Sequence, residues 1–332
     1  MYTSYVLIAN LDAKEDELQF EHFRLRKIQT RGDLNDAQAL FGRMAHFCDW
    51  IYERDYSSIP ELHLGGYGSI PWHVDDALLC FRLFKVGDIA FVAQVIKGPE
   101  DETARRYPHR IMSAMSTNVP YHFTQAECPD WDNLSEGLPS CQGWYSQWFK
   151  VARTYFLYGG SKEFNIRLLP RDAHGSPAAD ASGLPEIDRV LDYFVALEAT
   201  LVPERDVHIG ARLRKRASAL LKLDGERSKE AERILTDCYD IRSEIAHGSI
   251  VDREKLTELQ ERMPQFEELV RKILRAALCL LLSEDEQRKQ QLAQWAGVTD
   301  EDRVDQVRKI AGSISDESRR QRLLDELSGH AK

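Results

Sequence analysis

Asp237-Cys-Tyr-Asp-Ile-Arg242-Ser-Glu-Ile-Ala-His247-Gly248 is the stretch on which the second half of the chain turns. Ile234, Leu235, Cys238, Ile241 and Ile245 recur at helical spacing before and through it, so it reads as the end of a core helix from about Ser228 to His247. Gly248 follows where a C-cap glycine is expected. Arg242 and His247 are five positions apart, which on an ideal helix is about 140° of rotation and about 7.5 Å of rise. The two side chains therefore do not stack on one another. They can flank a cleft that grips an elongated anion, or a site that a second chain completes.

The residue types fit phosphate chemistry. Arginine offers a fixed fork of donors to a phosphate, and histidine moves protons near neutral pH. Together they can cleave RNA without a metal: the histidine deprotonates a 2′-hydroxyl or protonates the leaving oxygen, and the arginine steadies the phosphate charge. A structural reading of the same residues is open as well. Arg242 can pair with an acid on a neighbouring helix, such as Glu198, and His247 can sit at the helix end because positive charge is favoured there. The spacing alone does not choose between them.

Helices surround the stretch. One runs from Pro185 to about Leu201, with Ile187, Val190, Leu191, Phe194, Leu197 and Leu201 on its apolar face and Glu198 beside that face. A second spans about Asp206 to Leu223, with Ala217, Leu220 and Leu221 inward; Arg212, Arg214, Lys215 and Arg216 form a basic run, either an RNA-backbone contact or a solvated face. A further helix is expected to break at Pro264 and to continue from Gln265 to Leu282. Four helices in succession point to a bundle. Beyond it, residues 284–332 read as a short, highly charged helical extension.

The first half is mixed. Tyr5 to Leu11 reads as a strand, Phe20 to Ile28 as another, and Asp33 to Tyr52 as a helix capped by Asp33 with an apolar stripe of Ala37, Leu40, Phe41, Met44, Ala45, Cys48 and Ile51. Ala77 to Phe84 and Ile89 to Ile96, joined by Lys85-Val-Gly-Asp88, look like two strands of a hairpin. Gln142 to Tyr158 is an aromatic-rich helix. Gly65-Gly-Tyr-Gly68 lacks the Gly-Lys-Ser/Thr ending of a phosphate loop. The breaker-rich segment at 171–185 is the best linker. The predicted fold class is α+β: residues 1–170 form a mixed domain with a β-hairpin or small antiparallel sheet, and an all-α bundle over 186–283 follows.

Composition bounds the function classes. The chain has 332 residues, 43% hydrophobic and 30% charged, enough for two domains. Its longest apolar run, Ala276 to Leu282, is too short to span a bilayer. No signal peptide is legible at the start, so a cytoplasmic location is expected. The six cysteines are scattered without a Cys-x2-Cys pair; Cys128 and Cys141, with His122 nearby, are the loosest of metal candidates, and no metal or cofactor is expected. A net charge of −10 excludes a broad footprint for duplex DNA but not a local basic groove for single-stranded RNA.

The ordered blocks Ile187 to Ala199, Ile209 to Leu221 and Cys238-Tyr-Asp-Ile-Arg-Ser-Glu-Ile-Ala-His-Gly248 together resemble the HEPN superfamily, and within it the Apea-like group of prokaryotic defence proteins, over roughly residues 186–283. Ala77 to Val95 is similar, more weakly, to the region that often precedes such a domain. The resemblance implies a helical bundle that pairs with a second copy and a metal-independent endoribonuclease site at the dimer interface, with a defence or toxin role. It assigns Arg242 and His247 to catalysis and Glu198 to the polar position that orients the arginine. Ser243 stands where many active members carry a more strongly polar residue. Some members of the superfamily serve only as binding modules, so a non-catalytic dimeric RNA- or nucleotide-binding or scaffold module is the alternative. A third possibility is an enzyme housed in the first domain, with a polar pocket around residues 100–140.

Overall fold

The structure, a computed structural model, describes residues 2–56, 72–87, 89–98, 103–108, 120–159, 184–203, 209–223, 229–247 and 253–295. The expected glycine loop at 65–68, most of the linker at 171–185, Gly248 and the part of the expected helical extension beyond residue 295 lie outside the described residues. The fold is mixed, an antiparallel sheet followed by a largely helical region. The chain divides into two compact units, Met1–Gly137 with Leu157–Arg189, and Leu138–Phe156 with Val190–Lys332.

The first unit is built on a six-stranded sheet. β1 (Tyr2–Ala9), β3 (Glu17–Gln19), β4 (Arg24–Lys27), β5 (Trp50–Tyr56), β6 (Ala90–Lys97) and β7 (Thr103–Pro108) lie in the order β3-β4-β5-β1-β6-β7. Every pairing is antiparallel. β2 (Leu11–Asp12) pairs in parallel with β8 (Tyr121–His122) as a separate short ladder. Central β1 is buried on both faces, as its run Val6-Leu-Ile-Ala9 requires. One face packs on α1 (Arg31–Phe41) through Leu7, Ala37, Phe41, Val92 and Val95. The other carries an aromatic cluster in which Phe81 of α2 (Trp72–Phe84) lies 6.3 Å from Phe91 and 4.6 Å from Trp131 of α3 (Cys128–Gly137).

Two expectations for this unit are corrected. Asp33 to Tyr52 is not one helix. α1 ends at Phe41, where Gly42 adopts φ 62°, a 3-10 turn follows over Gly42–Phe47, and Trp50 opens β5. The cap is Thr30, with Asp33 completing its capping box. The apolar stripe nevertheless predicted burial well, since Ala37, Phe41, Ala45, Cys48 and Ile51 all join one core. Ala77 to Phe84 is likewise not a strand but the buried body of α2, so the expected hairpin with Ile89 to Ile96 does not form. Leu78, Leu79, Phe81 and Leu83 are fully buried, and a run apolar all round shows no period that separates strand from helix.

The second unit holds most of α4 (Gln147–Gly159) and of α5 (Leu184–Leu201), and then α6 (Ile209–Leu223), α7 (Lys229–Ala246), α8 (Arg253–Leu280) and α9 (Asp285–Trp295). α6 and α7 pack on each other and both pack on α8. The core is aromatic at its centre, where Phe266 lies 5.1 Å from Phe194 and 6.0 Å from Tyr193. The expected break at Pro264 is absent: α8 runs through it. Proline loses one backbone donor there, but Pro264 is exposed while Leu259, Met263, Phe266 and Val270 are buried, so core packing on either side holds the helix in one piece. No helix among the described residues is long and apolar enough to cross a membrane.

Candidate functional site on three helices

Tyr239 organises the surroundings of Arg242. Its ring meets Phe194 of α5 edge-on at 5.3 Å. It also lies so close to Gly210 of α6 that a Cβ there would stand 2.2 Å from the tyrosine Cε1. Only a residue without a side chain permits this approach. Arg242 follows Tyr239 by three positions, which places both on one side of α7. Its guanidinium lies 5.7 Å from the ring centroid, and Arg214 of α6 brings a second guanidinium to 5.1 Å. Arg214 also reaches Asp240 at 3.8 Å.

Glu198 completes this cluster. It follows Phe194 by one turn of α5, and its Oε1 accepts a hydrogen bond from Arg242 Nη2 at 2.7 Å. The two side chains are 22% and 25% exposed, so the pair is partly withdrawn from water. Burial pushes the Glu198 carboxyl above its ordinary range, and the Arg242 charge opposes that shift. The pairing named as the structural reading of Arg242 is thus present, and the arginine side chain remains partly exposed.

His247 lies one residue beyond α7 and is exposed. Its N–H donates to the Ser243 carbonyl at 3.1 Å, which continues the helical bonding pattern and fixes the backbone from which the imidazole projects. Lys255 Nζ and Glu244 Oε1 meet at 2.6 Å and Arg262 pairs with Asp237, so α8 anchors α7 on both sides of the site.

The basic run of α6 splits. Arg216 is 6% exposed, and its Nη1 donates to the Leu201 carbonyl at 2.7 Å; it satisfies the C-terminal end of α5 and does not face solvent. Arg214 joins the Tyr239 cluster, Lys215 is exposed, and Arg212 is partly exposed. Consecutive helical positions are rotated by about 100°, so the four basic residues between positions 212 and 216 cannot share one surface. The sequence did not disclose Tyr239 or the sharing of its ring by two arginines. Gly210 near the start of α6 was the available signal of a close approach.

Three buried thiols are held in their protonated, weakly nucleophilic form. Burial pushes Cys238 up to about 12, and does the same at Cys48 and Cys128. Cys128 and Cys141 fall in different units, and Cys141 lies against Cys279. Among the described residues, Glu21, His22 and Glu136 bring metal-donor atoms within 4.8 Å of one another; all three are exposed and lie in the first unit. Residues 109–119 of the suggested first-domain pocket lie outside the described residues, and His122 pairs at the surface with Asp12 at 2.7 Å. Compared with known protein families, with curated proteins and with solved structures, the chain shows no match.

Proposed function

We propose that the helical unit is a metal-independent endoribonuclease that works as a homodimer, with Arg242 and His247 as its catalytic residues and Glu198 as the residue that positions Arg242. The observation that carries this reading is the state of the two side chains. Arg242 is held by a carboxylate and an aromatic ring yet keeps an exposed part, while His247 stands free of the core on a fixed helix end. In the reaction, His247 takes the proton of a ribose 2′-hydroxyl, the 2′-oxygen attacks the adjacent phosphorus, and the bond to the 5′-oxygen breaks as that oxygen takes a proton from water and leaves as a hydroxyl. Arg242 donates to the non-bridging oxygens as their charge grows. The rotation between the two positions, about 140° on an ideal helix, favours a site assembled from two copies over one contained in a single chain. The likeness of its sequence blocks to the HEPN superfamily supports a role for this activity as a prokaryotic defence or toxin effector.

The test uses a labelled single-stranded RNA in the presence of chelator, beside the same strand with 2′-deoxyribose throughout. Cleavage of the ribose strand to 2′,3′-cyclic phosphate ends is expected. Equal cleavage of the deoxy strand contradicts the mechanism. A second reading, a dimeric RNA- or nucleotide-binding or scaffold module, draws on the Arg242–Glu198 pair itself, because a satisfied ion pair can serve packing alone. It predicts RNA binding with no cleavage of either strand.

A further inference from the structure

A cleft of about 310 Å³ runs between α6 and α7. Arg214, Lys215, Ser218 and Lys222 line it from α6, and Glu232 and Thr236 from α7. Arg214 and Lys215 lie four and three positions before Ser218, and Lys222 four after it, so all of them border one side of α6. Three cations there oppose one carboxylate. Arg214 belongs both to this cleft and to the ring of Tyr239, against which Arg242 also lies. Cationic side chains therefore recur from Lys222 to Arg242, although Arg214 also reaches Asp240 and Arg242 is paired with Glu198, and the eight positions from Lys222 to Arg214 alone span about 12 Å. A row of this length fits several successive phosphates better than one isolated anion. A chain of net charge −10 presents such a row only locally, which suits a single strand rather than a duplex.

We infer that the α6–α7 cleft binds the sugar–phosphate backbone of single-stranded RNA and leads it to Arg242, an inference that rests on the ribonuclease reading. Glu232 moderates the affinity: its carboxylate accepts from Ser218 and repels phosphate. The probe is labelled oligouridine, with chelator, bound to the His247→Ala protein so that it stays intact. Adding Lys215→Gln and Lys222→Gln removes two phosphate contacts. The salt dependence of binding is expected to flatten by about 1.4 in log–log slope, or roughly twenty-five-fold in affinity between 1 M and 0.1 M salt. Glu232→Gln in the same background is expected to tighten binding. Circular dichroism checks that each variant folds. An unchanged slope in the double glutamine variant overturns the inference. The two readings fail separately: native protein that cleaves RNA while the glutamine variant binds normally removes the cleft alone, whereas lysine-dependent binding without cleavage by native protein removes the nuclease alone.

A different observation carries a second proposal. Cys141 Sγ and Cys279 Sγ lie 3.7 Å apart. Cys141 is buried and Cys279 partly exposed. Their backbones are held alongside each other, since Ser283 Oγ donates to the Gln142 carbonyl at 2.8 Å and a Cβ on Gly143 would stand 3.3 Å from Leu278 Cα. Closing to a disulfide length of roughly 2 Å is within reach of side-chain rotation. We propose that the pair is a peroxide-oxidised dithiol. The Cys279 sulfur attacks hydrogen peroxide, gaining one oxygen as a sulfenic acid while the other leaves as water; the Cys141 sulfur then displaces that oxygen as a second water, and the sulfur–sulfur bond forms. Peptide mapping after peroxide treatment is expected to recover one linked pair containing both cysteines, lost on reduction and absent in Cys279→Ser. Free alkylation of both thiols after treatment, or sulfinic acid without a link, overturns it.

Discussion

Arg242 owes its position to Glu198 and Tyr239, and each contact makes a separate prediction. Arg242→Ala is expected to destabilise the fold by about 1–2 kcal/mol, between the value of a surface pair and that of a well-made charged hydrogen bond. A double-mutant cycle with Glu198→Ala should return a favourable coupling of about 1 kcal/mol; additive effects would contradict the pairing. Glu198 also gives stability a pH dependence of defined sign. Burial raises its folded-state pKa above the ordinary 4.5. The folded chain thus binds the proton more tightly than the unfolded chain, and this carboxyl's contribution to stability falls as pH rises from about 4.5 through the folded value. Glu198→Gln should flatten that slope in melts taken across the window, and an unchanged profile would contradict the assignment.

Helices α6 and α7 meet through the absence of a side chain. Gly210→Ala would place a Cβ against the Tyr239 ring at 2.2 Å, so it is expected to destabilise the unit by about 1–3 kcal/mol and to displace both arginines. In α8, the exposed Pro264 spends a backbone hydrogen bond without a packing return, and Pro264→Ala should stabilise by about 1–3 kcal/mol; a loss of stability would mean that the ring packs after all. How legible each element was follows from the pattern it displayed. α5, α6 and α7 alternate apolar and polar faces, so their spacing disclosed them to within a few residues. α2 has no polar face along Leu78-Leu-Cys-Phe81, and its period was invisible. The stripe from Ala37 to Ile51 marked a real core but could not show that Gly42 turns the chain inside it. At the site, Arg242, His247 and Glu198 were legible as residue types, whereas Tyr239 and the inward turn of Arg216 depend on which neighbour each helix meets.

At the scale of the whole molecule, the proposed nuclease requires two copies acting together. A composite site makes specific activity depend on concentration: below the dissociation constant of the dimer, the rate per chain should fall as the protein is diluted, in step with the dimer fraction measured by sedimentation. A constant rate per chain in a fully monomeric sample would contradict the shared site. In the proposed reaction, His247 moves the proton on which RNA cleavage depends. The most direct measurement is the cleavage rate of single-stranded RNA, with chelator present, by native, Arg242→Ala and His247→Ala proteins whose melting has been recorded. Because His247 is exposed, its alanine variant should melt within about 0.5 kcal/mol of native stability and cleave at least about a hundredfold more slowly. Cleavage by His247→Ala at the native rate, or none by the native protein, would contradict the account.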